Sequence, residues 1–503
     1  VIITGTIAVF ADEISGWASP AKKHAEQLMP AGTGAKIAEM AATVPEENLE
    51  EVFLFPSSSH RLRVFFHGHH EEETSEEQPS EETHEQHDIL MVLDTSTMEL
   101  MQHLEGDDLF SAVKADALAD FIVDLHVRLL MPNRWGLFLT GLLGFAMMAA
   151  VVSGFIMHRH LIAELFTQRR KSNPVLQSRD KHVVASSWNL PFAFLLAFTG
   201  AFFSFGGALG LPALAFVAFG GDVESAQEAI LAPIQLEDDR LAPLVNLDTV
   251  LQDARKRANA EPNTVQVRHW GRADAHIQVL FDTPQKQLTS EIYNYNGTSG
   301  EFLGAQPRIG REESLGGALT AIMDPLHFGD FAGLFSKTVW FSMGCATAYV
   351  TLSGLVLWGR RRDQTTRGRR FTLVTEWLGY GLPTSLIGVF CTYFLLIDIV
   401  SPDQLRATLS YVFLSFLVLS AIPCGIAPAH TKGSLLLTSA LLLVALPLCR
   451  MSASGISWFS ESGQQSLVIS GDLLALIIAC ACFYASHKAH QGQNQQAPTV
   501  AKC

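Results

Sequence analysis

Polarity along this chain changes in long blocks. Apolar runs occupy Trp135 to Met157, about 188 to 207, Val339 to Trp358, and then about 375 to 400, 405 to 427, 434 to 449 and 465 to 486. A bilayer core of about 30 Å needs about 20 apolar residues in helical form, so each of these runs predicts a membrane-spanning helix. The opening VIITGTIAVF is apolar too, but its ten residues are too short to cross. We read it as the tail of a span that starts upstream, with ADEISGWASP as the exit, which brings the expected total to about eight spans.

Two polar segments interrupt the spans, and each shows helical periodicity first and strand periodicity afterwards. In the first, AKIAEMAATV predicts a helix, and LEEVFLF, HRLRVFF and DILMVLD predict strands. In the second, LDTVLQDARKRA predicts an amphipathic helix, followed by TVQVRHW, AHIQVLFD and SEIYNYNGTSGEFLG as strands and turns. The shared order, and the matching turns DTSTMEL and NGTSGEF, predict two copies of a small α+β module. Between the second and third strands of the first copy lies His67 to Asp88, with five histidines and eight glutamates. So charged a stretch reads as a solvated hairpin loop, although its side chains could also collect a metal ion weakly.

Charge fixes the expected orientation. Loop 158–187 carries Arg159, Arg169, Arg170, Lys171, Arg179 and Lys181, and loop 359–370 carries six arginines. By the positive-inside rule both are cytoplasmic, which puts both α+β modules on the opposite face, the periplasm of a Gram-negative cell. Across the 503 residues, 48% hydrophobic and 17% charged composition fits a membrane protein with soluble parts. The net charge of −15 argues against nucleic acid as a partner. No C-x-x-C-H occurs, so covalent c-type haem is excluded, and the seven cysteines all follow residue 344, mostly within apolar runs. Cys480 and Cys482 read as lipid-facing or core residues, and Asp398 and Asp472 as solvated acids near the membrane boundary.

Histidines gather at span ends. His126 and His327 precede spans on the periplasmic side, while His158 and His182 flank the first cytoplasmic loop, with His160 as a substitute for His158. Ionisable groups at such depth are functional candidates, and imidazole is a common axial ligand of haem iron. Two pairs, one per leaflet, suit two bis-histidine b-type haems in a four-helix core. Gly141, Gly144, Gly154 and Gly354 would admit a close helix or a porphyrin, and Trp135, Trp188, Trp340 and Trp358 form interfacial belts, with Trp340 deep enough to pack on a haem.

The phrases TGTIAVFADEISGWASP, SGFIMHRHLIAELFTQR, KHVVASSWNLPFAFLLAFTG and LHFGDFAGLFSK followed by LSGLVLWGRRR resemble the PepSY-associated transmembrane family, over residues 1 to about 362. The similarity is strongest to its long, roughly eight-span bacterial members. It implies a polytopic α-helical inner-membrane protein with a four-helix haem-binding core and two periplasmic PepSY-like modules. Some members act as haem-containing reductases of ferric siderophores, and by motif His126, His158, His182 and His327 become the haem-iron ligands. The sequence departs from the family pattern where Val183 and Val184 follow His182.

The expected organisation is therefore the end of a first helix (1–10), module 1 (11–125), a transmembrane hairpin (126–208), module 2 (209–326), a further span with its arginine-rich loop (327–370), and four additional helices with a tail (371–503). The cytoplasmic loops are too short for a flavin or nicotinamide domain and hold no G-x-G-x-x-G. Electrons would come from a membrane quinol or a separate reductase. The acceptor would be a ferric siderophore or other Fe(III) chelate, with loop 67–88 able to hold the released Fe(II). Two other readings stand beside this one: a haem-bearing accessory subunit of a respiratory complex, and a non-haem periplasmic binding or regulatory module on a membrane anchor.

Overall fold

A computed structural model describes the chain apart from residues 22–26, 59, 69–87, 107–108, 158–173, 224, 227–236, 282–290, 309–311, 461 and 495–503. His158, His160 and nearly all of the acidic histidine-bearing loop lie outside the described residues.

The helices are α1 (Ile2–Ala8), α2 (Ala11–Ala18), α3 (Thr33–Ala41), α4 (Ala117–Arg128), α5 (Asn133–Met157), α6 (Pro174–Phe205) and α7 (Leu211–Ala218). They continue as α8 (Leu247–Ala258), α9 (Leu315–Phe328), α10 (Gly333–Arg360), α11 (Thr366–Leu396), α12 (Pro402–Leu419), α13 (Thr431–Ser454) and α14 (Gln465–Asn494). Seven stretches among the described residues are long and apolar enough to span a membrane, and they coincide with the seven complete runs expected from the sequence. The second is longer than expected: five residues of π-helix, Gly206–Gly210, join α6 to α7, so it reaches from Gln177 to Ala218. The short α1 packs against α10 and α4, α6 against α5 and α10, and α11 links this group to α12 and α13, with α14 closing on α13.

The strands are β1 (Glu51–Ser58), β2 (Arg61–His67), β3 (Ile89–Asp94), β4 (Glu99–Glu105), β5 (Pro262–Arg268), β6 (His276–Phe281), β7 (Glu291–Asn296) and β8 (Phe302–Pro307). Each polar segment supplies one helix and an antiparallel four-strand meander, so the repeated order holds, with β4 an addition to the expected strands. The two copies are not separate. They share one sheet, ordered β4-β3-β2-β1-β5-β6-β7-β8, because β1 and β5 pair antiparallel from Glu51 opposite Arg268 to Leu54 opposite Val265. Alternation explains the packing. Val52, Leu54, Leu62, Val64, Val265, Val267, Ile277 and Val279 form one buried core with Ile37 and Met40 of α3 and Val250, Leu251 and Ala254 of α8.

Charge ties the sheet to the helices. Arg61, fully buried at the start of β2, donates to Ser19 O at 2.8 Å and to Asp116 Oδ1 at 2.7 Å. Arg63 adds contacts to Asp116 at 2.9 Å and Asp120 at 3.3 Å, and Arg406 of α12 pairs with Asp124 of α4 at 3.0 Å. The two guanidinium groups hold the Asp116 carboxyl down to about 2 against the effect of its burial. Burial instead raises Asp120 to about 6, with Arg63 opposing and Asp116 reinforcing the shift.

Asp472 corrects an expectation. It is fully buried rather than solvated: Arg450 grips it with Nε at 3.0 Å and Nη2 at 2.7 Å, and the indole N–H groups of Trp17 and Trp458 donate to it at 2.9 and 2.7 Å. An acid in an apolar run had looked like a boundary residue because its partner is 22 positions away. Asp398 is exposed, as expected.

Candidate functional site

Three of the four histidines singled out from the sequence fall within the described residues, and two of them meet. His126 lies in the last turn of α4 and His327 in the last turn of α9, where both helices end against the first spans. Their rings are 6.4 Å apart, centre to centre, with planes 24° from parallel. His182, near the start of α6, faces α10 at the end of the bundle farther from the sheet. His158, its expected partner, cannot be placed beside it.

All three imidazoles are held in the same way. The His327 Nδ1 lies 2.9 Å from Thr199 Oγ1, and that hydroxyl already donates to Leu195 O at 2.9 Å. With that donation made, the hydroxyl accepts from His327 Nδ1, an assignment that leaves the Nε2 lone pair available. The His182 Nδ1 sits 2.8 Å from Ser353 Oγ, which donates to Val350 O at 3.1 Å, and the same tautomer follows. The His126 Nδ1 reaches Val1 O at 3.0 Å, a pure acceptor, with Thr4 Oγ1 at 3.4 Å. Among the described residues no hydrogen bond engages any of the three Nε2 atoms. A ring N–H fixed by a helix acceptor is the usual outer support of a metal-bound histidine.

Each ring also rests against a glycine. A Cβ at Gly5 would come within 2.6 Å of His126 Cε1, one at Gly200 within 3.2 Å of His327 Cε1, and one at Gly354 within 3.1 Å of His182 Cε1. Of the glycines expected to admit a close helix or a porphyrin, Gly354 makes room for the His182 ring, Gly141 and Gly144 let α6 approach closely through Phe205, Ala197 and Ala201, and Gly154 borders open space. The supports escaped sequence reasoning, yet a signal exists: Thr4-Gly5, Thr199-Gly200 and Ser353-Gly354 are all hydroxyl-glycine dipeptides, pairing an acceptor with a gap on adjacent residues.

Surrounding residues stiffen the pair. Phe203 and Phe328 set their edges against His327 at 5.5 and 5.4 Å. The Trp340 indole donates to Leu326 O at 3.0 Å and packs under Gly329, bracing the turn after His327, while its ring meets Phe192 and Phe331. Trp135, Trp188 and Trp358 are exposed, in keeping with belt positions. Burial, aided for His126 by the neighbouring His327, pushes both imidazoles down to about 4, so both are neutral at pH 7, the ligating form. A recess lined by Arg128, Arg134, Trp135, Leu137 and Gly207 opens where α4 gives way to α5.

The residues fit a haem. Two imidazoles on opposite sides of one metal, each at a bond of about 2 Å, hold their ring centres about 6 Å apart, close to what His126 and His327 show. Among the described residues no group of three or more His, Cys, Asp or Glu gathers as a metal cage. A family model of the PepSY-associated transmembrane region matches residues 1–361. The chain belongs to that family. The match ends at the arginine-rich loop, so α11 to α14 extend beyond the region that defines PepSY-associated transmembrane proteins. No curated protein matches the chain closely enough to count as a relative.

Proposed function

We propose that this PepSY-associated transmembrane protein is a di-haem b electron carrier of the bacterial inner membrane that reduces a ferric siderophore or other Fe(III) chelate on the side of the sheet. The observation that carries this reading is the His126–His327 pair, with parallel rings at haem-sandwich spacing and both Nδ1 atoms engaged by helix acceptors. His126 and His327 would hold one haem, and His182 with His158 the other. Bound there, haem b supplies reversible one-electron transfer.

The chain's own groups then have definite tasks. Val1 O, Thr199 and Ser353 would fix the ring tautomers, and Gly5, Gly200 and Gly354 give the rings room against the helices. Phe203 and Phe328 hold the His327 ring between their own. Arg128 and Arg134, in the recess at the α4–α5 junction, would attract an anionic chelate. The basic loops support a periplasmic position for the sheet, and the donor would be a membrane quinol or a separate soluble reductase.

The deciding experiment is a reduced-minus-oxidised visible spectrum of the purified chain with haem counted per polypeptide. Two b-type haems are expected, and adding a ferric chelate to the reduced protein should return the spectrum to its oxidised form. His126→Ala or His327→Ala should remove one haem of the two, as should His182→Ala. Full haem content in all three variants would refute the assignment of ligands, and haem-free protein from haem-replete cells would refute the function.

A further inference from the structure

A second histidine pair lies in the part of the chain that the family does not account for. His430 caps the N-terminus of α13, and His490 sits in the last turns of α14, at the end of the bundle away from the sheet. Their rings are 5.4 Å apart with planes 25° from parallel, and the two Nδ1 atoms face each other at 3.3 Å.

That contact differs from the pair on the sheet side. There each Nδ1 is engaged by a hydroxyl or carbonyl; here the nitrogens are turned toward one another. With one ring protonated at Nδ1 the two nitrogens share a hydrogen bond. Two imidazoles bound side by side on one tetrahedral ion, with metal–nitrogen bonds of about 2.0 to 2.1 Å, keep their nitrogens about 3.3 Å apart. The observed spacing therefore also fits two ligands sharing an ion.

The backbone makes room for the arrangement. Gly433, one turn into α13, is buried, and a Cβ there would stand 2.6 Å from His490 Nε2, 2.8 Å from Cε1 and 3.0 Å from Cδ2. Ser486 of α14 donates to Gly433 O at 2.7 Å, pinning the two helices together at this level. Next to His430, Thr431 is fully buried, and its hydroxyl oxygen has no hydrogen-bond partner among the described residues.

We propose that His430 and His490 bind a single divalent transition-metal ion of the zinc, copper or nickel kind, which clips the start of α13 to the end of α14. Imidazole suits these ions. No third His, Cys, Asp or Glu joins the pair among the described residues, so water completes the coordination. The site is independent of the haem reading and would stand if that reading fell.

The test uses the full chain in detergent, stripped with a chelator and titrated with Zn(II) against a chromophoric competitor. So that any zinc held by the histidine-bearing loop 67–88 cancels, the quantity read is the difference between the parent chain and His430→Asn, His490→Asn and Gly433→Val. The parent should bind one more equivalent than each variant, and Zn(II) should raise its unfolding midpoint but not theirs. Equal stoichiometry in the parent and His430→Asn would overturn the proposal. That comparison decides even if a change inside α14 or at Gly433 prevents folding, since His430 lies at a helix cap.

Discussion

At the scale of single residues, the candidate site depends on which nitrogen of each imidazole carries its proton. Thr199 settles this for His327 by accepting from Nδ1 while donating to Leu195 O. Thr199→Val keeps the shape and removes the acceptor. An imidazole that gives up its N–H···O bond is a weaker electron donor to iron, so the ferric state loses support. The expected outcome is retained haem with one of two midpoint potentials moved to a more positive value, checked by a redox titration of the b-type absorbance. His126, whose acceptor is the backbone Val1 O, should be untouched by that change. The histidines themselves were legible in the sequence, because a histidine at the end of an apolar run stands out. Their supports were not, because a threonine or serine in an apolar helix has many uses, and only the ring opposite tells which one applies.

At the scale of elements, periodicity carried far. The amphipathic repeat of LDTVLQDARKRA coincides with α8, and the seven apolar runs with the seven spans. What it missed has physical reasons. In β4, at the sheet's edge, most residues are exposed, so no buried alternation marks it. Asp472 and Arg450 lie on different helices, and each alone resembles a boundary residue; only their packing shows a buried ion pair whose aspartate also receives two indole N–H groups. The pair locks α2, α13 and α14 together. Breaking a buried pair strands a charge, at a cost of about 3 to 5 kcal/mol, whereas replacing both members with apolar groups restores most of the loss. Asp472→Ala should therefore lower the unfolding midpoint in detergent sharply, and Arg450→Met combined with Asp472→Leu should recover it. A single variant as stable as the parent would contradict the locking role.

At the scale of the whole molecule, the sheet and the helical bundle meet through charge rather than through oil alone, and their union should respond to pH. Asp116, held down to about 2, contributes stability at neutral pH that is lost as pH falls from about 4 through 2. Asp120 acts in the opposite sense. Its folded value of about 6 lies above the ordinary 3.8, so its protonated form favours the fold below pH 4, and that contribution disappears as pH rises through 6. Asp120→Asn should accordingly raise the unfolding midpoint at pH 8, by a stabilisation of about 1 to 2 kcal/mol after allowance for partial exposure, and leave it nearly unchanged at pH 4. Thermal scans at the two pH values check this.

The joint between β1 and β5 reaches further still. Each four-strand meander ends on a strand whose outer hydrogen-bonding groups are covered only by the other copy. A gene severed between the codons for Gly221 and Leu247 would yield two half-chains, each inserting its own spans and each displaying one open strand edge. Co-expressed, the halves should find one another and co-purify as a single complex; expressed singly, each should self-associate along the bared edge.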